Sequence, residues 1–212
     1  MFFQNRSDAG ERLAGQLKNL QLQNPIVLAI PRGGAPVGAA VARALSCPFD
    51  IIPLIKIPIP WDPEASYGVV VMDGTVELNK PLVNRLELSD RELEMAESTI
   101  MIEVKRREQL YRQGKPFPVL ENRSVIITDD GMATGYSMLA AAAFVNKRKP
   151  HKLIVALPVA AQVAQKLIAS EQRINQVVIL AVDYESLFSL PSYYEEFTPI
   201  TDDDVLKELH RL

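Results

Sequence analysis

The sequence predicts an α/β protein built on a doubly wound parallel sheet. Three observations carry this. Apolar runs of strand length recur along the chain, helical segments stand between them, and glycine-bearing loops follow several of the runs. Apolar strands alternating with helices give βαβ units and a sheet covered on both faces. At 212 residues the chain has the size of a single domain, residues 1–212, with room for a buried core.

Taken in order, residues 7–20 carry Leu13, Leu17 and Leu20 at helical spacing, with Ser7 or Asp8 as cap and Glu11 in the first turn. "PIVLAI" (25–30) reads as a strand apolar on both faces, "PRGG" (31–34) as a tight loop, and "APVGAAVARAL" (35–45) as a small-residue helix that can lie close to a sheet. "FDIIPLIKI" (49–57) reads as a second strand and "VIITD" (125–129) as a third. A helix is expected over 135–145, strands over 152–160 and 176–182, and a helix at 161–169 between them. The alternation is interrupted over 58–122. Pro58, Pro60 and Pro63 should break regular structure there. "SYGVVVMDGTVELN" (66–79) reads as a hairpin turning at Asp73-Gly74. Ser89 and Glu92 form a capping box that opens a long helix with Leu93, Ala96, Ile100 and Val104 on one face, ending near Gly114. A hairpin plus a long helix is thus inserted between the second and third core strands. There is no internal repeat or low-complexity segment.

Composition narrows the function classes. Apolar residues are 48% and charged residues 23%, an ordinary soluble balance. Lys plus Arg is 23 and Asp plus Glu 26, a net −3 that points neither to nucleic acid nor to a membrane surface. The single cysteine, Cys47, excludes an intrachain disulfide, and its apolar context makes it a small buried residue before a reactive thiol. There is no zinc-type Cys/His cluster, and His151 and His210 fall outside every candidate site. The first residues do not form a secretory signal, and no run of ~20 apolar residues exists, so a cytoplasmic location is expected. A serine hydrolase is excluded by the lack of a G-x-S-x-G elbow.

Open parallel sheets bind ligands beyond the carboxyl ends of their strands. Three features fall there: Arg32-Gly33-Gly34, Lys56, and the stretch Asp129 to Ser137. "GMATGYS" runs into a helix, whose free amides and dipole favour a phosphate; Gly131 and Gly135 permit close approach, and Thr134 and Ser137 offer hydroxyls. It is not a Walker A loop. Asp129 and Asp130, adjacent at a strand end, suit a pair of neighbouring hydroxyls or a ligand-borne Mg²⁺; the plainer alternative is a helix cap beside a solvated strand end. Arg32-Gly33-Gly34 offers a guanidinium and exposed amides, a second anion site or else a plain turn. Lys56 sits in an apolar run, either snorkelling from an edge or facing anions.

These stretches resemble a known family. "VIITDDGMATGYSM" is similar to the 5-phosphoribosyl-1-pyrophosphate (PRPP) motif of the type I phosphoribosyltransferases, and "AIPRGGAPVGAAVARAL" to the stretch around their pyrophosphate loop. With "YYEEFTPITDDDV" near the end, the chain most resembles a stand-alone bacterial group of that family. The resemblance implies a Rossmann-like core and a lid or hood made by the insertion 58–122. It implies that Asp129 and Asp130 hold the ribose 2- and 3-hydroxyls, and that Gly131, Ala133, Thr134, Gly135, Tyr136 and Ser137 form the 5-phosphate cradle. Arg32, Gly33, Gly34 and Lys56 would take the pyrophosphate, with Mg²⁺ carried by PRPP and met by Asp129 and Asp130 indirectly. Arg32, Lys56, Asp129 and Asp130 would be the catalytic set.

The chain departs from that pattern in four places. Ile55-Lys56 supplies one cation where relatives have Arg-Lys. Pro58 stands where glycine is favoured. Ala133 replaces the acidic base of purine-salvage members, which argues against hypoxanthine/guanine-type activity. Tyr136 is bulky where a small residue is usual. Tyr184, Phe188, Tyr193, Tyr194 and Phe197 could stack on an acceptor base or simply cover the sheet edge. Trp61 reads as a lid residue or a packing anchor. The expected function is Mg²⁺-dependent phosphoribosyl transfer from PRPP to a nitrogen acceptor; the alternative is a regulatory module that binds PRPP without turnover. The partners expected are small molecules; the helix Leu93–Tyr111 reads either as a self-association face, giving a homodimer, or as a cover for the lid.

Overall fold

A computed structural model describes residues 2–59 and 61–211, with Pro63 and Glu64 as backbone only. In chain order the strands are β1 (Ile26–Ala29), β2 (Phe49–Ile51), β3 (Leu54–Ile59), β4 (Asp62–Val71), β5 (Val76–Leu78), β6 (Ser124–Thr128), β7 (Lys152–Ala161) and β8 (Gln176–Asp183). The helices are α1 (Arg6–Leu17), α2 (Gly34–Leu45), α3 (Lys80–Leu86), α4 (Asp90–Arg112), α5 (Tyr136–Asn146), α6 (Gln162–Ala169) and α7 (Asp202–His210). The main sheet has five parallel strands in the order β2-β1-β6-β7-β8. A second, antiparallel sheet has the order β3-β4-β5.

Alternation along the core strands explains the double winding. Ile26, Leu28, Val125, Ile127, Leu153 and Val155 face α5 and α6, while Val27, Ile126 and Ile154 face α1 and α2. All are buried, as expected of strands covered on both sides. The alanines of α5 and the small residues of α2 let those helices lie close to the sheet. A Cβ on Gly38 would stand 2.8 Å from Ala29 Cβ. Cys47 packs at the edge of this core, where burial pushes its thiol up to about 11, consistent with an inert structural residue.

Several expectations are corrected. Residues 49–57 are two strands in two different sheets. The N–H of Ile52 donates to Ala29 at 2.9 Å, and Pro53 then has no N–H to continue the parallel ladder. The chain therefore leaves the main sheet, and Lys56 lies on β3 of the second one. Pro58 and Pro63 do not break structure: both sit inside strands, Pro58 on an edge strand where a register shift accommodates it. Pro60 lies outside the described residues. The cap of α1 is Asn5, whose side chain accepts from Ser7 and Asp8, so the helix starts earlier than Ser7 or Asp8 would place it. Helices α3 and α7 go beyond the elements expected from the sequence; each is opened by a side-chain cap, Asn79 and Thr201.

The hairpin turns at Asp73-Gly74, where Asp73 Oδ1 accepts from Thr75 N–H at 3.0 Å and Gly74 has φ +85°. The capping box of Ser89 and Glu92 opens α4, a 23-residue helix. The apolar face of α4 packs within the chain: Val104 is fully buried, and Leu93, Ala96 and Ile100 lie against the core that includes β3 and β4. At its far end Arg112 is bonded to Asp50 of β2 at 2.6 Å through both carboxylate oxygens. No helix among the described residues is long and apolar enough to cross a membrane.

Candidate functional site

The carboxyl ends of β1 and β6 open onto two adjoining cavities. The first, about 500 Å³, is lined by Arg32, Gly33, Lys56, Asp129, Asp130 and Ser137 among others. The second, about 420 Å³, is lined by the loop 131–135 with Lys56, Asp129, Ser137 and Met138. Lys56, Asp129 and Ser137 line both. The second sheet and α3 supply the outer wall of the second cavity through Ala65, Ser66, Asn79 and Leu82. Most of the side chains expected from the sequence therefore meet in one place, although Lys56 arrives from a different sheet than expected.

In the loop 131–135 one of the two glycines takes the left-handed backbone. Gly135 has φ +91° and precedes the first turn of α5, an 11-residue helix whose initial N–H groups lack intrahelical partners. Thr134 is exposed on the second cavity. Tyr136 packs against the core and lines neither cavity, so its bulk is turned away from the loop mouth. Gly131 is not in the left-handed region; it is confined by Leu190, 2.3 Å from where a Cβ would stand.

Arg32, Gly33 and Gly34 differ in what they present. The Pro31–Arg32 peptide is cis. Arg32 is half-exposed, with Asp202 at 3.7 Å. Gly33 lies on Asp130, and a Cβ there would stand 2.2 Å from Asp130 Oδ2. Gly34 stands apart: it opens α2, its N–H donates to Ile30 at 3.1 Å, and it lines neither cavity.

The two aspartates sit in different environments. Asp130 is buried, and Arg6 Nε donates to its Oδ2 at 2.8 Å. Its carbonyl accepts from the Tyr194 hydroxyl at 2.5 Å. Asp129 lies between the cavities and accepts from the Asp130 N–H at 2.8 Å. Burial and the neighbouring Asp130 charge hold the Asp129 carboxyl well above the usual carboxylate range, with Lys56 pulling it back slightly. A carboxyl whose charge is disfavoured by burial is a place where hydroxyl donors or a ligand-borne cation would be favourable. Among the described residues no three His, Cys, Asp or Glu side chains gather as a metal cage.

Sequence reading missed Arg6 and Arg107, which both line the first cavity. Arg6 reaches it because the chain's ends pair: Phe3 N–H donates to Tyr193, and Glu195 N–H to Phe3. Its guanidinium also donates to Thr198 at 2.8 Å and lies 3.9 Å from the Phe197 ring centre. No local signal marks such a contact. Arg107 belongs to the run "KRRE", which reads as a solvated helix face. Tyr194 and Phe197 are engaged in packing with Phe3 and Arg6, and Phe188 stacks on Tyr193; none of them lines the two cavities. Tyr184 and Trp61 are exposed.

Comparison with known proteins identifies the family. Residues 69–169 match the phosphoribosyl transferase domain family. Two curated Mycobacterium tuberculosis proteins, Rv0571c and MT0597, named provisionally as phosphoribosyl transferases, are 32% identical over 209 residues. The match covers 99% of this chain and 46% of theirs, so the chain spans about half the length of these relatives. The crystal structure of TT1426 from Thermus thermophilus is 34% identical, with a TM-score of 0.82 over 100% of this chain and 99% of that one. The AQ2163 protein of Aquifex aeolicus shares the fold alone, at 13% identity and a TM-score of 0.53 over 84% of this chain and 74% of its own. With its parallel core, its acidic pair and its glycine loop, this chain belongs to the type I phosphoribosyltransferase family.

Proposed function

We propose that the two cavities bind PRPP, and that the chain transfers its phosphoribosyl group to a nitrogen acceptor with release of pyrophosphate. The observation that carries this is the placement of Asp129 between the cavities, flanked by Lys56 and Ser137, which line both. A ribose over the acidic pair would send its 5-phosphate into the loop 131–137 and its pyrophosphate toward Arg32 and Gly33.

Departure of pyrophosphate leaves positive charge on the ring and adds negative charge to the leaving group. Arg32, Lys56 and loop amides would stabilise the leaving group. Asp129 and Asp130 would hold the hydroxyls, and their charge would favour a cationic sugar. When bound, Mg²⁺ would neutralise pyrophosphate oxygens. The work of the chain is positioning and electrostatics. Residues 58–122 would act as the lid or hood, supported by Ser66, Asn79 and Leu82 on the cavity wall. A homodimer belongs to the same reading, with Met95 and Ile102 left exposed on α4, and light scattering reads it out.

The competing reading, PRPP binding without turnover, is favoured by one observation. Among the described residues lining the two cavities, the only carboxylates are Asp129 and Asp130, and there is no His, Cys or Glu to take an acceptor proton. Ala133 is exposed and offers none. Pyrophosphate release from PRPP with Mg²⁺, measured over a panel of nucleobases and amines, separates the two. Transfer predicts release with at least one acceptor, abolished by Asp129→Asn. Saturable PRPP binding with no release for any acceptor selects the binding module.

A further inference from the structure

We propose that Arg107, on the inserted helix α4, is a direct ligand of the pyrophosphoryl group in the first cavity; the inference rests on reading that cavity as part of a PRPP site. Strand β3 gives the first cavity Ile55 and Lys56, a single cation. The structure brings another guanidinium to the same cavity from a helix far away in sequence.

The charges of the cavity single Arg107 out. Its ionisable lining residues are Arg6, Arg32, Lys56, Arg107, Asp129 and Asp130. Arg6 is 7% exposed and committed, bonded to Asp130 and to the Thr198 carbonyl. That leaves Arg32, Lys56 and Arg107 as the cavity's other cations beside Asp129, with Arg32 only loosely partnered by Asp202 at 3.7 Å. Arg107 is bonded to Glu103, but through Nε alone at 3.2 Å, so this bond does not engage the two terminal nitrogens of the fork. Glu103 is itself held more closely by Arg106, at 2.6 and 2.7 Å. The fork of Arg107 can therefore turn to a ligand without leaving a carboxylate unpaired. Paired N–H donors of this kind match the oxygens of a phosphoryl group.

Position supports the same assignment. One helical turn beyond Arg107, the Tyr111 hydroxyl donates to Asp202, and Asp202 lies 3.7 Å from Arg32. The charges of both Arg107 and Arg32 act on that hydroxyl, opposing the rise in its pKa that burial and Asp202 cause. Both guanidinia line the first cavity, one reaching it from α4 and the other from the loop after β1. The Arg112–Asp50 pair fixes this end of α4 to the main sheet, so Arg107 is presented from an anchored element.

Calorimetric titration with Mg²⁺ present tests the proposal, using PRPP, inorganic pyrophosphate and ribose 5-phosphate on the wild-type chain and Arg107→Gln. The expected result is at least about tenfold weaker binding of PRPP and pyrophosphate, with ribose 5-phosphate unchanged. Equal affinities in the two chains overturn the inference and leave the PRPP reading standing. An equal loss for ribose 5-phosphate overturns it too, because that would be a structural effect. If the wild-type chain binds none of the three, both readings fall. A second measurement needs no variant: an arginine-selective dicarbonyl reagent, with the modified site mapped by mass spectrometry. Pyrophosphate should protect Arg107 in the wild-type chain and ribose 5-phosphate should not; modification unaffected by pyrophosphate contradicts the proposal.

Discussion

Gly33 and Asp130 are locked together at the floor of the first cavity. A methyl group at Gly33 would stand 2.2 Å from Asp130 Oδ2, and that oxygen is already fixed by Arg6. Gly33→Ala must displace one of them. We expect a stability loss of about 1–3 kcal/mol in denaturant titration, together with weakened PRPP binding. The Arg6–Asp130 pair is itself buried, with side chains 8% and 11% exposed. Removing only the cation leaves an uncompensated charge. Arg6→Met should therefore cost about 3 kcal/mol, and the double variant with Asp130→Asn should recover part of that in a double-mutant cycle. Additive losses would show that the pair is not coupled.

Asp129 gives a pH signature. Its folded pKa is raised above the ordinary value of 3.8, so the folded chain keeps this proton to higher pH than the unfolded chain does. Between those two values the folded state binds more protons, and stability falls as pH rises; above both, the full cost of the buried charge remains. Asp129→Asn removes this contribution. The stability of the wild-type chain relative to that variant should therefore decline as pH rises from about 4 toward neutrality, read from denaturation midpoints. A difference that stays flat with pH would contradict the assignment. The acidic pair was legible in the sequence as two adjacent carboxylates at a strand end. Their unequal environments were not, because Arg6 and Tyr194 come from the two ends of the chain.

The elements of the core were legible because each carries its own signal: β1, β6, β7 and β8 as apolar runs, α2 and α5 as small-residue helices, α4 through its capping box. The division of residues 49–57 between two sheets was not, since "FDIIPLIKI" is apolar almost throughout and only Pro53 marks the departure. The proline-rich segment misled in the opposite direction: Pro58 sits on the edge strand β3, which tolerates a missing donor, and Pro63 lies in β4 between the paired positions Asp62 and Ser66, where the register shifts. At this scale the decisive contact is Asp50–Arg112, which ties α4 to β2 with side chains 17% and 8% exposed. Asp50→Asn would leave the Arg112 charge buried and without its partner, at about 3 kcal/mol. Hydrogen exchange should then speed up at the carboxyl end of α4, and pyrophosphate binding should weaken with it. Unchanged protection in α4 would count against the anchoring role.

For the molecule as a whole, the site is an assembly of distant pieces. The loop after β1, the strand β3, the acidic pair after β6 and the helix α4 all reach the first cavity. Sequence motifs picked out the residues at the carboxyl ends of β1 and β6 because those loops are contiguous with their strands. They did not locate the cations that arrive through tertiary packing, since Arg6 and Arg107 look like ordinary helix-surface charges until the chain is folded. The acceptor side has no such motif, and the aromatic residues near the C-terminus are largely engaged in packing. The central claim is that these pieces form one PRPP site. Titrating Mg²⁺–PRPP into the wild-type chain and into Asp129→Asn tests it most directly. The account predicts saturable one-to-one binding to the wild-type chain and at least about tenfold weaker binding to the variant. Absence of binding to the wild-type chain, or equal binding to both, would contradict it.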